Sequence, residues 1–166
     1  VRKLLTDSDY KIFNFDKLIN RSDLSSINNL IALKNKDFNK RYDFFHADLL
    51  EIDQIKEAFK KSDPDLVFHL AAETHVDRSI DNPDNFIKSN IVDVYKLLEF
   101  FKKFTKKYKC KLIHISTDEV YGDILKGRST EKFPYDPSSP YAASKAASDH
   151  LVNSYVRTYK IPAIVT

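Results

Sequence analysis

Residues 65–72, Asp65-Leu-Val-Phe-His-Leu-Ala-Ala72, decide the fold. The run is almost continuously apolar and of strand length, and so reads as a strand buried on both faces. Tyr10-Lys-Ile-Phe-Asn-Phe-Asp16 and Asp43-Phe-Phe-His-Ala-Asp48 are shorter apolar runs ending in acids. Lys111-Leu-Ile-His-Ile-Ser-Thr117 and Ile161-Pro-Ala-Ile-Val-Thr166 read as two further strands. Helical patterns lie between them. Residues 52–61 give a short helix with Ile52, Ile55 and Phe59 apolar. A long helix over residues 84–108 opens at Asn82 and Pro83, a cap and a first-turn proline. Its apolar face carries Phe86, Ile87, Asn90, Val94, Leu97, Leu98 and Phe101. A second long helix runs from Pro140 to Tyr159. This alternation predicts an α/β protein, a doubly wound parallel sheet with helices on both faces. Such sheets bind ligands at their carboxyl edge, where two of these strands end in acids.

Composition narrows the class. The 166 residues are 42% hydrophobic and 31% charged, enough for a real core and unlike a disordered chain. A net charge of +3 is too small to imply a nucleic-acid partner. The basic stretch 102–111 reads as a solvated helix end, where cations complement the dipole. No apolar run approaches the roughly 20 residues of a membrane span, and no signal peptide opens the chain. A lone cysteine, Cys110, suits the cytoplasm. The five histidines lack metal-ligand spacing, so no metal is expected. His69 and His114, inside strands, are expected to be hydrogen-bonded core residues. Only two glycines occur, Gly122 and Gly127, about a sixth of what average usage near 7% gives. Val1-Arg-Lys-Leu-Leu reads as the end of a helix and the chain stops inside a strand, so it reads as an internal fragment.

Tyr141-Ala-Ala-Ser-Lys145 sets a phenol and an ammonium on one face of the second long helix. A lysine beside a tyrosine favours phenolate and is expected to lower its pKa, suiting it to take a proton from a sugar hydroxyl. Alone, the spacing fits any surface helix with a packed ring. Ser116-Thr-Asp-Glu-Val-Tyr-Gly122 supplies context at a strand's carboxyl end. Thr117 offers a hydroxyl to hold a substrate oxygen. Asp118 and Glu119 offer an acid and a base, the pair that loss of water requires, although two acids after a strand also fit a solvated loop.

These two motifs, with His69-Leu-Ala-Ala-Glu-Thr-His-Val-Asp-Arg-Ser-Ile80, resemble the extended short-chain dehydrogenase/reductase superfamily. Within it the chain most resembles the dTDP-glucose 4,6-dehydratases, from about Tyr10 to the C-terminus. The adjacent Asp118–Glu119 pair favours that group. Related epimerases normally lack it, and GDP-mannose dehydratases and UDP-glucuronate decarboxylases usually carry a glutamate without the aspartate.

The resemblance implies a Rossmann-like sheet of order 3-2-1-4-5-6. Its first strand and glycine-rich turn would precede Val1, and its substrate-binding part would follow Thr166. Residues 1–166 would then be a partial NAD-binding domain. The cofactor implied is NAD, bound by Asp16, Lys17, Asp48, Leu49, Leu70, Ala71, Ala72, Asn90, Tyr141 and Lys145. Asn14-Phe-Asp-Lys-Leu18 matches the family, whereas Ile19-Asn-Arg-Ser-Asp23 departs from it. The implied substrate is a nucleotide sugar, met by Thr74, Thr117, Asp118 and Glu119. Tyr141 would take the O4 proton as C4 is oxidised, with Thr117 and Lys145 holding the arrangement. Glu119 would remove the C5 proton, and Asp118 would protonate the departing C6 hydroxyl. The two long helices resemble those of the family's homodimer. An epimerase, a decarboxylase, a GDP-mannose dehydratase and a non-catalytic NAD-binding homologue are the alternatives.

Overall fold

The computed structural model describes residues 1–19, 23–34 and 37–166. Residues 20–22, inside the stretch that departs from the family, lie outside the described residues. The chain forms two compact units, Val1–Ser62 and Asp63–Thr166.

The first unit runs α1 (Arg2–Asp7), β1 (Ile12–Asp16), α2 (Ser25–Lys34), α3 (Phe38–Arg41), β2 (Tyr42–His46) and α4 (Ile52–Ser62). β1 and β2 pair in parallel, with Ile12 opposite Tyr42 and Asp16 opposite His46. Leu5, Ile12 and Phe38 form a small core, with Leu4, Ile27, Leu30, Ile31 and Tyr42 packed against it. No glycine ends α1; Arg41 satisfies its last carbonyls instead. The guanidinium donates to the backbone oxygens of Leu5 at 2.9 Å, Ser8 at 2.8 Å and Tyr10 at 3.1 Å. Asp37 holds the same side chain at 2.8 Å. The short helix expected over 52–61 is α4, with Ile55 and Ala58 buried. The sequence carried no expectation for α2 and α3.

The second unit contains β3 (Leu66–His69), α5 (Val76–Asp81), α6 (Asp84–Ile87), a π-helical turn (Lys88–Val92) and α7 (Asp93–Phe104). It continues with β4 (Lys111–His114), a 3₁₀ turn (Asp118–Tyr121), α8 (Pro140–Tyr159) and β5 (Ala163–Val165). Its sheet is parallel, in the order β3-β4-β5. The pairings β2-β1 and β3-β4-β5 follow 3-2 and 4-5-6 of the expected order. Position 1 has no counterpart among the described residues. Also among them, no helix is long and apolar enough to cross a membrane.

Two expectations need correcting. First, β3 is not buried on both faces: Leu66 is 43% and Phe68 48% exposed. Leu66 and Phe68 share the exposed face, whereas Val67 and His69 on the other face are at least partly buried, so the strand is covered on one face only. Second, the helix expected over 84–108 is α6 and α7 joined through the π turn, and α7 ends at Phe104. A π turn inserts one residue and advances the phase of everything before it. Phe86 therefore takes the inward position that a regular helix would give Ile87. Phe86 is buried and Ile87 is 46% exposed.

α8 follows its sequence signals closely. Ser139 caps it, its hydroxyl accepting from the Ala142 N–H at 3.0 Å, and Pro140 occupies the first turn. Lys160 ends it in the left-handed conformation, φ 56°. Tyr141, Ala142, Ser144, Lys145, Ala146, Ser148 and Asp149 are all buried, so the N-terminal half of the helix buries polar groups that must find partners.

Gly122 closes the 3₁₀ turn at φ 76°, and a Cβ there would lie 2.1 Å from the Asp136 carbonyl oxygen. Gly127 also has positive φ, 84°, but open space around it. Gly122→Ala should lower unfolding free energy by more than about 1 kcal/mol, and clearly more than Gly127→Ala. Denaturant midpoints check this; equal losses would refute the close approach.

Candidate functional site

The site of the second unit is built where β4 ends. Thr117 caps the 3₁₀ turn, its hydroxyl accepting from the Glu119 N–H at 3.3 Å and lying 3.5 Å from Asp118 Oδ1. Tyr141 comes from the first turn of α8. Its N–H donates to Ser79 Oγ at 3.1 Å, and its ring meets Phe86 edge-on at 6.3 Å. The Tyr141 and Thr117 hydroxyls are hydrogen-bonded. Thr117, Asp118, Glu119 and Tyr141 are thus brought together.

Electrostatics departs from the sequence expectation. Burial holds the Tyr141 phenol above its ordinary pKa, the Glu119 and Asp118 carboxylates add to this, and the Thr117 hydrogen bond opposes it. Lys145 does not lower it. The Lys145 ammonium donates to the Ile115 carbonyl at 2.6 Å, and burial pushes its own pKa down against the attraction of Asp149. Burial first, and then charges that are negative, explain the reversal.

Asn90 sits in the π turn and is buried. Its Oδ1 accepts from the Glu73 N–H at 2.9 Å, while Nδ2 donates to the Glu73 carbonyl and to Ser144 Oγ, both at 2.9 Å. Ser144 Oγ in turn donates to the Tyr141 carbonyl at 2.7 Å. Both amide hydrogens of Asn90 are therefore committed to protein groups, which tie the segment after β3 to α8. That segment leaves Leu70, Ala71 and Thr74 exposed and Ala72 half-buried.

In the first unit, Asp16, Lys17, Asp48 and Leu49 gather at the carboxyl edge of β1 and β2. Lys17 Nζ lies 3.8 Å from Asp48 Oδ2. Asp16 Oδ1 accepts from the Leu18 N–H at 2.7 Å, and Asp48 Oδ1 accepts from the Leu50 N–H at 2.9 Å. These are short Asx turns that shape the edge.

Ser116, Tyr135, Ser148 and Asp149 were not singled out from sequence. Asp149 accepts from Ser116 Oγ and from the Tyr135 hydroxyl. The available signal was spacing: Tyr141, Lys145 and Asp149 recur every four residues, placing all three on one helix face. His69 and His114 are buried and joined through their Nδ1 atoms at 2.8 Å, as hydrogen-bonded core residues should be.

Comparison with known proteins accords with this geometry. The family model described as GDP-mannose 4,6 dehydratase matches residues 1–166. The dTDP-glucose 4,6-dehydratase of Haemophilus influenzae is 46% identical over the whole chain, which covers 50% of that protein. The enzyme of that name from Salmonella typhimurium is 42% identical, again over the whole chain and 49% of its own length. Among solved structures, DesIV, a dTDP-glucose 4,6-dehydratase from Streptomyces venezuelae with NAD bound, superposes with a TM-score of 0.86. It is 31% identical, over 99% of this chain and 49% of that one. The chain spans about half the length of the curated relatives it matches, and it belongs to the GDP-mannose 4,6 dehydratase family.

Proposed function

We propose that this chain supplies the NAD-binding part of a dTDP-glucose 4,6-dehydratase. The single observation that carries the reading is the Asp118–Glu119 pair, set on a 3₁₀ turn whose capping threonine is hydrogen-bonded to Tyr141. The identities of 46% and 42% to enzymes of that name support it.

The residues present fit NAD. A buried phenol flanked by two carboxylates, with the neighbouring ammonium turned to a carbonyl, favours a cationic ring beside it. Exposed Ala71 and half-buried Ala72 leave room for close approach after β3. In the first unit Asp16 is exposed at the strand edge with one oxygen on Leu18, a suitable acceptor for ribose hydroxyls. Lys17, Asp48 and Leu49 frame the same edge. NAD supplies the redox chemistry, taking up hydride from C4 of the sugar and giving it back at C6.

Tyr141, ionised when the cationic ring of NAD is bound beside it, would accept the O4 proton, and Thr117 orients that oxygen. Lys145, through Ile115, fixes the strand end from which Thr117 projects. Oxidation at C4 acidifies the C5 proton, which Glu119 removes. Asp118 donates to the C6 hydroxyl, so that water leaves, and as hydride returns to C6 the Glu119 carboxyl, after exchange with solvent, would give a proton back to C5. Thr74 faces the substrate. Asn90 holds the segment that carries Leu70, Ala71 and Ala72.

We also place the enzyme in the cytoplasm, as a homodimer. The single buried Cys110 suits a reducing compartment. Exposed Ile87, Val92 and Tyr95 follow one another along the α6–α7 run and suit a helix–helix contact.

In the full-length protein, Glu119→Gln should abolish exchange of the C5 proton with solvent deuterium while reduced nicotinamide still forms. Normal exchange in that variant would remove Glu119 from this role. Tyr141→Phe should lower kcat by at least about 100-fold, read from the rate of C4 oxidation. In the cofactor-free protein, the same substitution should delete a tyrosinate transition lying above the ordinary tyrosine value near 10. Loss of a transition below that value in an alkaline absorbance titration would contradict the raised pKa.

A further inference from the structure

Lys145 is held by a second layer of buried polar groups that the mechanism above does not use. At its centre is Asp149, 0% exposed and one turn further along α8. One oxygen, Oδ2, accepts from Ser116 Oγ and, at 3.0 Å, from the Tyr135 hydroxyl. The other, Oδ1, has no hydrogen-bond partner and lies 3.4 Å from His114 Nε2.

The proton positions follow from donor bookkeeping. Ser148 Oγ donates to the Lys145 carbonyl at 2.8 Å, so at its 3.2 Å contact with His114 Nε2 it must accept. His114 therefore carries its proton on Nε2, on the side of Asp149. In the neutral ring Nδ1 is then bare and accepts from His69 Nδ1 at 2.8 Å. This leaves His69 Nε2 as a buried nitrogen without a proton, and it has no partner. Burial pushes His69 down to about 3, so that ring stays neutral. His69 and His114 thus both direct a proton toward α8, and His114 Nε2 lies beside Asp149 Oδ1.

We propose that Asp149 is a positioning residue for the Thr117–Tyr141–Lys145 site. Ser116, which it holds, lies between Ile115, whose carbonyl takes the Lys145 ammonium, and Thr117, whose hydroxyl meets Tyr141. A single buried carboxylate thus fixes the strand end against the helix that carries the tyrosine and lysine. Tyr135 brings the loop before α8 to the same oxygen. Burial and the Asp149 charge keep the Tyr135 hydroxyl protonated well above the usual tyrosine range, so it remains a donor. The inference rests on the dehydratase reading for its kinetic readout, and on geometry alone for its structural one.

The test uses the full-length protein with Asp149→Asn and Tyr135→Phe. Asp149→Asn should cut the single-turnover rate of C4 oxidation at least about tenfold, with KM for the nucleotide sugar within about twofold. Tyr135→Phe, which deletes one donor and keeps the ring, should show a smaller loss of kcat with KM again unchanged. Crystal structures of the variants should show the Lys145–Ile115 contact lengthened. Parental kcat in folded Asp149→Asn would overturn the proposal, as would a rate loss that only tracks the folded fraction. If Asp149→Asn does not fold, unchanged kcat in Tyr135→Phe overturns it. If the parent enzyme oxidises no nucleotide sugar, the functional reading fails separately, and an unaltered Lys145–Ile115 contact in the variants would then overturn this one.

Discussion

A helix face bearing hydroxyls, an ammonium and a carboxylate, buried against the end of a strand, is the constraint on which the second unit depends. Polar groups taken out of water must each be partnered, or their desolvation is uncompensated. On α8 these groups find partners off the helix, three of them at consecutive residues where β4 ends, and only Asp149 Oδ1 has none among the described residues. The Tyr141 N–H takes Ser79, Ser144 takes Asn90, Lys145 takes the Ile115 carbonyl, Ser148 takes His114, and Asp149 takes Ser116 and Tyr135. Apolar burial of Phe86, Leu98, Phe101 and Val152 drives the helix inward. In the placement that makes these contacts, the Tyr141 phenol meets the Thr117 hydroxyl.

The same constraint sets the electrostatics. The Lys145 ammonium donates to the Ile115 carbonyl, and it is not among the groups that set the Tyr141 phenol four residues earlier. Burial raises the Tyr141 pKa, and Asp118 and Glu119 alongside add to this. Two carboxylates beside the phenol suit the cationic ring that the NAD reading places there, and DesIV, a solved relative, has NAD bound.

What could be read from the sequence, and what could not, divides along physical lines. α8 was legible end to end because its signals are local: Ser139 and Pro140 open it, and Ile161-Pro162 follow its close. The motif residues around Thr117 and Tyr141 were legible as a set for the same reason. The π turn was not, because Asn90 reads equally well in a regular helix, and the phase shift shows only in Phe86 turning in and Ile87 turning out. β3 looked doubly buried because apolar content reports where a strand is suited to lie, whereas exposure depends on what covers each of its faces. The direction of the Tyr141 shift was illegible, since it depends on where the Lys145 ammonium points. Asp149 passed unnoticed because an acid on a helix usually faces water.

The central claim is that Thr117, Asp118, Glu119 and Tyr141 act together to remove water from a nucleotide sugar. Mass spectrometry of the product formed by the full-length protein from dTDP-glucose in deuterated water tests it most directly. The account predicts a product that has lost one water and carries deuterium at C5. A product with the mass of the substrate, its C4 configuration inverted, would contradict it and assign the site to an epimerase.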